Sequence, residues 1–340
     1  MGGGACPGAA PRGRRFVVGK SDGPGRGDSG APLTLEGDDA RQAIDDDNRR
    51  TTPRPQLARD PKFEEISPEV GEIDDDALAD LVDEDPDHAM SLLAQMRGAT
   101  DHKLAALAAH LAGRLVLDVA KAGPVQARGV GTMTSSPADR VDGDLDLDAS
   151  LDGLVHARAT GELVDAGDLR VRHWTQPATA LALVIDRSGS MSGKRLATAA
   201  VAAAACAHRA PVDWSVLAFA DRVIAVKSQD DSRSSLAVVD DLLRLRGQGT
   251  TDLAGALTAA ARQLDRSRAK RRVTILMSDC RATTGADAIP VARGLDELCV
   301  IAPSDDAEDA ADFARAVGAQ LATVDEPTDI PAAFLRVLER

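Results

Sequence analysis

Tyrosine is absent from this sequence, and only five Phe and two Trp residues supply aromatic rings. Proteins that bind single-stranded nucleic acid stack the bases on aromatic side chains, so this class is disfavoured. Basic residues are also in the minority, because 40 Lys and Arg against 54 Asp and Glu give the 340-residue chain a formal net charge of −14. A chain of this charge repels DNA and anionic membranes, and we expect neither as a partner.

Cysteine is scarce and long hydrophobic runs are missing. The four cysteines stand far apart and form no C-x-x-C pair: Cys6, Cys206, Cys280 and Cys299. This pattern indicates neither a disulfide framework nor a thiolate zinc site, and it suits a reducing compartment. The longest apolar run, residues 196–207, is much shorter than the roughly 20 residues of a membrane span. Arg14-Arg15 is not followed by the apolar stretch of a secretion signal. We therefore expect a cytoplasmic protein without a membrane span.

The first third of the chain changes character twice. Residues 1–60 are rich in Gly, Pro, Arg and Asp without an apolar period, which predicts a disordered tail. Residues 72–87 hold nine acidic side chains and no basic one, so this stretch is either the solvated face of a helix or a repelling linker. Leucines at helical spacing predict helices over 87–97 and 101–122. A helical region with its lead-in is therefore expected at 61–173.

From about residue 178 short apolar runs alternate with helical stretches. The predicted strands are 180–185, 212–219, 222–226, 273–277, 298–302 and 321–324. The predicted helices are 194–208, 232–245, 253–264, 306–317 and 331–338. Fully apolar strands between helices predict an α/β fold of three layers, with a mostly parallel, doubly wound sheet and 222–226 as an antiparallel edge. We assign this domain to residues 174–340.

Oxygen-bearing side chains follow three of these strands. The first loop holds Asp186, Ser188 and Ser190, a second segment holds Thr250 and Thr251, and Asp279 follows the strand 273–277. The carboxyl ends of parallel strands meet at one edge of a sheet, where ligands bind. Hydroxyls with a few carboxylates suit Mg²⁺ or Mn²⁺, whereas zinc or copper prefers nitrogen or sulfur. The simpler alternative is that these residues only cap helices.

These residues resemble the metal-ion-dependent adhesion site of the von Willebrand factor A domain. The family motif Asp-x-Ser-x-Ser, then Thr, then Asp is matched in order over about 160 residues. The resemblance implies that Ser188, Ser190 and Thr251 touch the metal, that Asp186 and Asp279 hold it through water, and that a partner's carboxylate completes the shell. Thr250 is an alternative to Thr251 as a ligand.

Two residues depart from the family pattern. Arg187 places a cation beside the first ligand loop, where many members carry a small or neutral residue. Cys280 stands where a glycine is usual after the last aspartate. Either change is expected to lower metal affinity or to reshape the rim of the site.

The lead-in to the first strand resembles bacterial proteins of the CoxE type. The matching segments are 144–147, 161–164 and 169–173. Proteins of this type look like partners of MoxR-type AAA+ ATPases, so the resemblance implies an adaptor in metal-centre assembly or protein remodelling. A similar domain arrangement occurs in the D-type, non-ATPase subunits of magnesium and cobalt chelatases, and this is the alternative function.

The sequence offers little support for catalysis by this chain. Residues 189–195 fall one position short of a phosphate-binding P-loop and also fail the pattern of a hydrolase nucleophile. The acidic run from Asp142 to Asp148 lacks the turn glycine and the bidentate glutamate of a calcium loop. A free-standing metal-dependent hydrolase is a further alternative, and it would need a carboxylate such as Asp252 as its general base. We expect a binding protein and not an enzyme.

Overall fold

The computed structural model describes residues 34–121, 132–137, 144–160, 169–175, 179–187, 193–247 and 249–338. The strands in these ranges are β1 (Thr34–Leu35), β2 (Thr132–Pro137), β3 (Asp144–Leu145), β4 (Arg170–Thr175), β5 (Thr179–Asp186), β6 (Trp214–Phe219), β7 (Val223–Lys227), β8 (Arg271–Met277), β9 (Glu297–Pro303) and β10 (Gln320–Val324). The helices are α1 (Gly37–Asn48), α2 (Arg54–Leu57), α3 (Phe63–Ile66), α4 (Asp75–Glu84), α5 (Pro86–Met96), α6 (His102–Lys121), α7 (Leu147–Thr160), α8 (Lys194–Arg209), α9 (Ser235–Arg244), α10 (Leu253–Leu264), α11 (Ala288–Ala292), α12 (Glu308–Val317) and α13 (Ile330–Leu338).

Seven strands form the main sheet, in the order β1-β7-β6-β5-β8-β9-β10. All neighbours run parallel except β6 and β7, which are antiparallel. The predicted fold class is therefore confirmed. The orientation of β7 also agrees with the prediction, but β7 is not the outermost strand, because the two residues of β1 pair with its far side.

Both faces of the sheet are covered by helices. In the central strand β5, Leu181, Leu183 and Ile185 pack into one apolar cluster, which also contains residues of α8, α9 and α13. The alternate positions Ala180, Ala182 and Val184 pack into a second cluster with α10 and α12. Successive side chains of a strand point to opposite faces, so a strand covered on both faces has to be apolar at every position.

Helix α8 is buried on nearly all sides. It contacts the sheet and also α5, α6 and α9, and ten of its sixteen residues are buried, most of them alanines. A helix that is apolar around its whole circumference is typical of a protein interior. Because most of its buried side chains are alanines, α8 can pack closely against the sheet and also against α5 and α6.

The prediction of a disordered tail to residue 60 is wrong for residues 34–60. Strand β1 joins the sheet, and Ala40 and Ile44 of helix α1 are buried in the main core. The few apolar side chains of this segment stand among many Gly, Pro and Asp residues, so the composition alone predicts disorder. The segment is ordered by its contacts with distant parts of the chain. Residues 1–33 of the predicted tail lie outside the described residues.

The acidic stretch at 72–87 is the solvated face of a helix. Most of it forms α4, whose Leu78 and Leu81 are buried. Helices α4, α5 and α6 belong to the same apolar cluster as one face of the main sheet. The predicted boundary at residues 173 and 174 therefore does not separate two hydrophobic cores. None of the helices among the described residues has the length and apolar character needed to cross a membrane.

A second, small sheet lies within the predicted lead-in. Its strand order is β2-β4-β3, with antiparallel pairs, and helix α7 connects β3 to β4 in the chain. The Asp146 side chain pairs with Arg172 of β4 at 2.9 Å and accepts a hydrogen bond from the Ala149 N–H at the start of α7. Asp146 therefore has a structural role in the small sheet, although it is buried and not solvated.

Candidate metal centre

Two of the predicted ligands lie at the carboxyl edge of the main sheet. Asp186 is the last residue of β5, and Asp279 follows the end of β8 by two residues. The register pairs Ile185 with Met277, so the two strands end side by side. Both carboxylates line a cavity of about 250 Å³, which is bounded by α8 and by the ends of β5, β8, β9 and β10.

Ser278, which is not among the predicted ligands, orients the first carboxylate. The Ser278 hydroxyl donates a hydrogen bond to Asp186 Oδ2 at 2.6 Å and accepts one from the Cys280 N–H at 2.9 Å. Ser278 is itself buried. Its position directly before Asp279 is the one signal in the sequence that pointed to it.

Asp279 has the environment of a carboxylate that a cation would stabilise. Burial raises the pKa of Asp279 above its ordinary value, and the neighbouring Asp186 raises it further. The Arg281 N–H, which donates to Asp279 Oδ1 at 3.0 Å, opposes this rise. Two carboxylates close to each other favour a bound cation, because it removes their mutual repulsion.

Thr251 is brought to the same edge by two neighbouring loops. Its N–H donates to Thr283 Oγ1 at 2.8 Å, and its carbonyl oxygen accepts hydrogen bonds from the Thr283 and Thr284 N–H groups. The next residue, Asp252, donates its N–H to the Ala220 carbonyl just after β6. Thr251 is 2% exposed, whereas Thr250 is exposed, so Thr251 is the better candidate ligand.

The remaining predicted ligands, Ser188 and Ser190, lie outside the described residues. In the described part of the chain, no group of three or more His, Cys, Asp or Glu side chains is arranged to hold a metal. The expected donor set does not require such a group, since it contains two carboxylates and three hydroxyls. The described members, Asp186, Thr251 and Asp279, supply oxygen donors of the kind that Mg²⁺ and Mn²⁺ prefer.

Arg187 does not present a free charge to this edge. Its guanidinium is 3% exposed and its Nη1 contacts Asp47 Oδ2 of helix α1 at 2.7 Å. The sequence predicted a cation beside the first ligand loop, but in the structure this cation is paired with Asp47, a partner that the sequence did not reveal. The two residues are 140 positions apart, and no local pattern connects them.

Cys280 occupies a backbone conformation that suits glycine. Its φ angle is 64°, and it is the one non-glycine residue with a positive φ in the described ranges. A side chain in this left-handed region costs roughly 1–2 kcal/mol, which explains why a glycine is usual at this position in the family. The side chain is nearly buried, and burial raises the pKa of the thiol to about 12.

Two basic side chains at the rim form ion pairs with other carboxylates. Lys194, at the start of α8, pairs with Glu326 at 2.6 Å. Arg281 pairs with Asp306 and Asp309, each at 2.6 Å. Their charges are therefore balanced before any cation approaches Asp186 and Asp279.

The sequence matches a family model described as a VWA domain containing CoxE-like protein, over residues 121–330. The match spans more than half of the chain and includes all five predicted ligands. The chain belongs to the CoxE-like VWA family. The resemblance inferred from the motif is thereby confirmed, and the VWA domain is a fold used for adhesion and protein–protein interaction. No protein of curated function matches this CoxE-like chain.

Solved structures similar to this CoxE-like protein include VWA proteins of diverse origin. Manganese-loaded TRAP protein of Plasmodium vivax is 18% identical, with a TM-score of 0.39 over 46% of this chain and 72% of that one. A von Willebrand factor type A protein of Catenulispora acidiphila is 20% identical, with a TM-score of 0.39 over 48% and 42%. The mussel byssus protein PTMP1, described with a zinc-occupied MIDAS motif, is 12% identical, with a TM-score of 0.37 over 47% of each chain. These scores are low, and the family assignment rests on the family model.

Proposed function

We propose that this protein is a metal-dependent protein–protein interaction module. The observation that carries the proposal is that Asp186 and Asp279 line one cavity at the carboxyl edge of the sheet, where Ser278 orients the first of them. In this proposal, Ser188, Ser190 and Thr251 complete the protein's donor set. Membership of the CoxE-like family supports the same interpretation.

The donor chemistry favours Mg²⁺, or Mn²⁺, as the resident cation. Both are hard ions that prefer oxygen ligands and keep open positions for water. Such a cation supplies a coordination position that a carboxylate of another protein can fill. In this proposal Asp186 and Asp279 hold the cation, Ser278 fixes the orientation of Asp186, and Thr251 adds a hydroxyl donor from a neighbouring loop.

The proposed partner is a MoxR-type AAA+ ATPase that offers an acidic side chain. In this arrangement the partner carries out nucleotide hydrolysis, and the present chain is a non-catalytic adaptor for metal-centre assembly or protein remodelling. The absence of a P-loop from the sequence and the CoxE-like family support this division of labour. We place the complex in the cytoplasm, since the four widely spaced cysteines of the sequence indicate no disulfide framework.

Titration calorimetry with Mg²⁺ and with Mn²⁺ tests the metal site. The full chain is required, because the N-terminal helices share a core with the sheet. We expect binding by the wild type and its loss in Asp279→Ala, while Asp312→Ala removes an exposed acid on α12 and keeps wild-type affinity. No heat of binding from the wild type, or equal weakening by both substitutions, would contradict the proposal.

A pull-down with a purified MoxR-type ATPase tests the partner. The immobilised full chain is expected to retain the ATPase in Mg²⁺ and to release it in EDTA, and Asp279→Ala is expected to fail in both buffers. Retention that is the same with and without Mg²⁺ would show that another surface makes the contact. If retention of the ATPase instead requires a tetrapyrrole together with the metal ion that is inserted into it, the chelatase-subunit function is favoured.

A further inference from the structure

A buried ion pair joins helix α1 to the end of the central strand. Arg187 immediately follows Asp186, and its side chain and that of Asp47 are 3% and 6% exposed. The Arg187 N–H also donates to the Phe219 carbonyl at the end of β6, at 2.9 Å. Arg187 is therefore held on its backbone by the sheet and on its side chain by α1.

The same carboxylate also holds the segment that leads to Thr251. Asp47 Oδ2 accepts a hydrogen bond from the Arg246 N–H at 3.3 Å. Arg187 Nη1 lies 3.3 Å from the Arg246 carbonyl oxygen, to which it donates. Asp47, Arg187 and the Arg246 backbone thus form a closed set of contacts. One acidic side chain of α1 links the strand end that carries Asp186 to the segment that carries Thr251.

We infer that Asp47 is a positioning residue of the metal site. Through Arg187 and the Arg246 backbone, it fixes the positions of Asp186 and Thr251 relative to each other. The inference rests on the proposed function, because it assigns a role toward the same site. It also gives a role to helix α1, which holds none of the predicted ligands. An octahedral Mg²⁺ site tolerates little misplacement of its oxygen donors, so a link between two ligand-bearing segments raises affinity by preorganisation.

A purely electrostatic role for this pair makes a different prediction. If Arg187 acted only as a cation near the site, Arg187→Met would strengthen metal binding and Asp47→Asn would weaken it. If the pair positions the two segments, both substitutions weaken binding. The sign of the Arg187→Met effect therefore separates the two roles.

Native-state hydrogen exchange of the metal-free full chain tests the link without any metal. In Asp47→Asn, we expect the amides of Arg187, Arg246 and Asp252 to exchange faster relative to Ile275 in the centre of β8. Asp146→Asn is the matched control, since Asp146 is also 6% exposed and also pairs with an arginine, but in the small sheet. It is expected to leave that ratio unchanged. Equal acceleration at Ile275 and at the three reporter amides of Asp47→Asn would overturn the inference.

Titration with Mn²⁺ gives the second readout. We expect Asp47→Asn and Arg187→Met each to lower affinity about tenfold, the usual size of an outer-shell effect, and the double variant to lower it no further. Asp146→Asn is expected to keep wild-type affinity. Tighter binding by Arg187→Met, or additive losses in the double variant, would overturn the positioning role. A wild type that binds no metal would instead overturn the proposed function, and the exchange ratios would still decide whether Asp47 holds the two segments.

Discussion

At the scale of single residues, the proposed site depends on side chains that are not themselves ligands. Ser278 holds Asp186, and Asp47 pairs with Arg187, the residue that follows Asp186. Neither Ser278 nor Asp47 is itself a residue of the family motif. The motif therefore indicates the candidate donors, while residues outside it hold Asp186 and the residue that follows it.

Substitution of Ser278 tests the first of these contacts. We expect Ser278→Ala to lower the affinity for Mg²⁺ by roughly tenfold or more, because Asp186 loses the donor that fixes its orientation. The loss of stability is expected to be about 1 kcal/mol. Calorimetry measures the affinity, and urea denaturation measures the stability.

The matched control is Ser234→Ala. Ser234 caps helix α9 by accepting the Ala237 N–H and lies outside the proposed site. We expect a similar loss of stability, about 1 kcal/mol, with unchanged affinity. If both variants bind Mg²⁺ as the wild type does, Ser278 does not orient a ligand.

Cys280 provides a residue-scale test of backbone strain. Cys280→Gly is expected to change the free energy of unfolding by less than about 1 kcal/mol, because relief of the left-handed conformation offsets the lost burial. Cys280→Val is expected to cost at least about 2 kcal/mol, since a β-branched side chain tolerates positive φ poorly. Urea denaturation of both variants gives the comparison, and equal stability of the two would show that this position is not left-handed.

At the scale of elements, the start of α8 is shaped by a glycine. Gly193 precedes the helix with φ 49° and ψ −106°, a backbone conformation accessible to glycine and rarely to other residues. A Cβ atom there would lie 2.7 Å from Ser91 Oγ of α5 and 2.9 Å from Gln95 Nε2. Helix α5 thus approaches the backbone of α8 at its first turn, where only glycine fits without adjustment.

Gly193→Ala is expected to lower the free energy of unfolding by about 2 kcal/mol, mainly through backbone strain. The control is Gly318→Ala at the end of α12. Gly318 has φ 75° with open space around it, so its substitution is expected to cost about 1 kcal/mol. Chemical denaturation checks both values. A smaller loss for Gly193→Ala than for Gly318→Ala would contradict the backbone geometry at the start of α8.

At the scale of the whole molecule, the sheet domain is incomplete without the N-terminal helices. Helices α5 and α6 contact the face of α8 that points away from the sheet, and β1 extends the sheet itself. Part of the buried surface of α8 would meet water if these helices were removed. A large exposed apolar patch favours aggregation.

A fragment that begins at residue 174 tests this dependence. We expect it to bind the dye ANS and to aggregate or unfold at a lower temperature than the full chain, because the outer face of α8 is uncovered. A fragment that begins at residue 34 keeps the described helices and is the control, with an unfolding temperature close to that of the full chain. A monomeric 174–340 fragment that is as stable as the full chain would show that the shared core contributes little.

The sequence predicted the elements of the sheet domain closely and the N-terminal region poorly. The strands β5, β8, β9 and β10 each lie within two residues of the apolar runs that predicted them, because strands buried on both faces are apolar throughout. Helices α1 to α4 were missed or only half recognised. Helices α1 and α4 have few apolar residues among many acidic ones, and α2 and α3 are only four residues long.

The candidate site also has features that the sequence predicted and features that it did not. The sequence by itself indicated the candidate donors Asp186, Thr251 and Asp279, because oxygen-bearing side chains follow the predicted strands and match the family motif in order. Only the tertiary structure revealed that Ser278 orients Asp186, that Asp47 binds Arg187, and that Cys280 takes a glycine conformation. These features depend on distances between residues far apart in the chain, or on a local backbone angle. Neither kind of feature produces a periodic pattern or a compositional bias in the sequence.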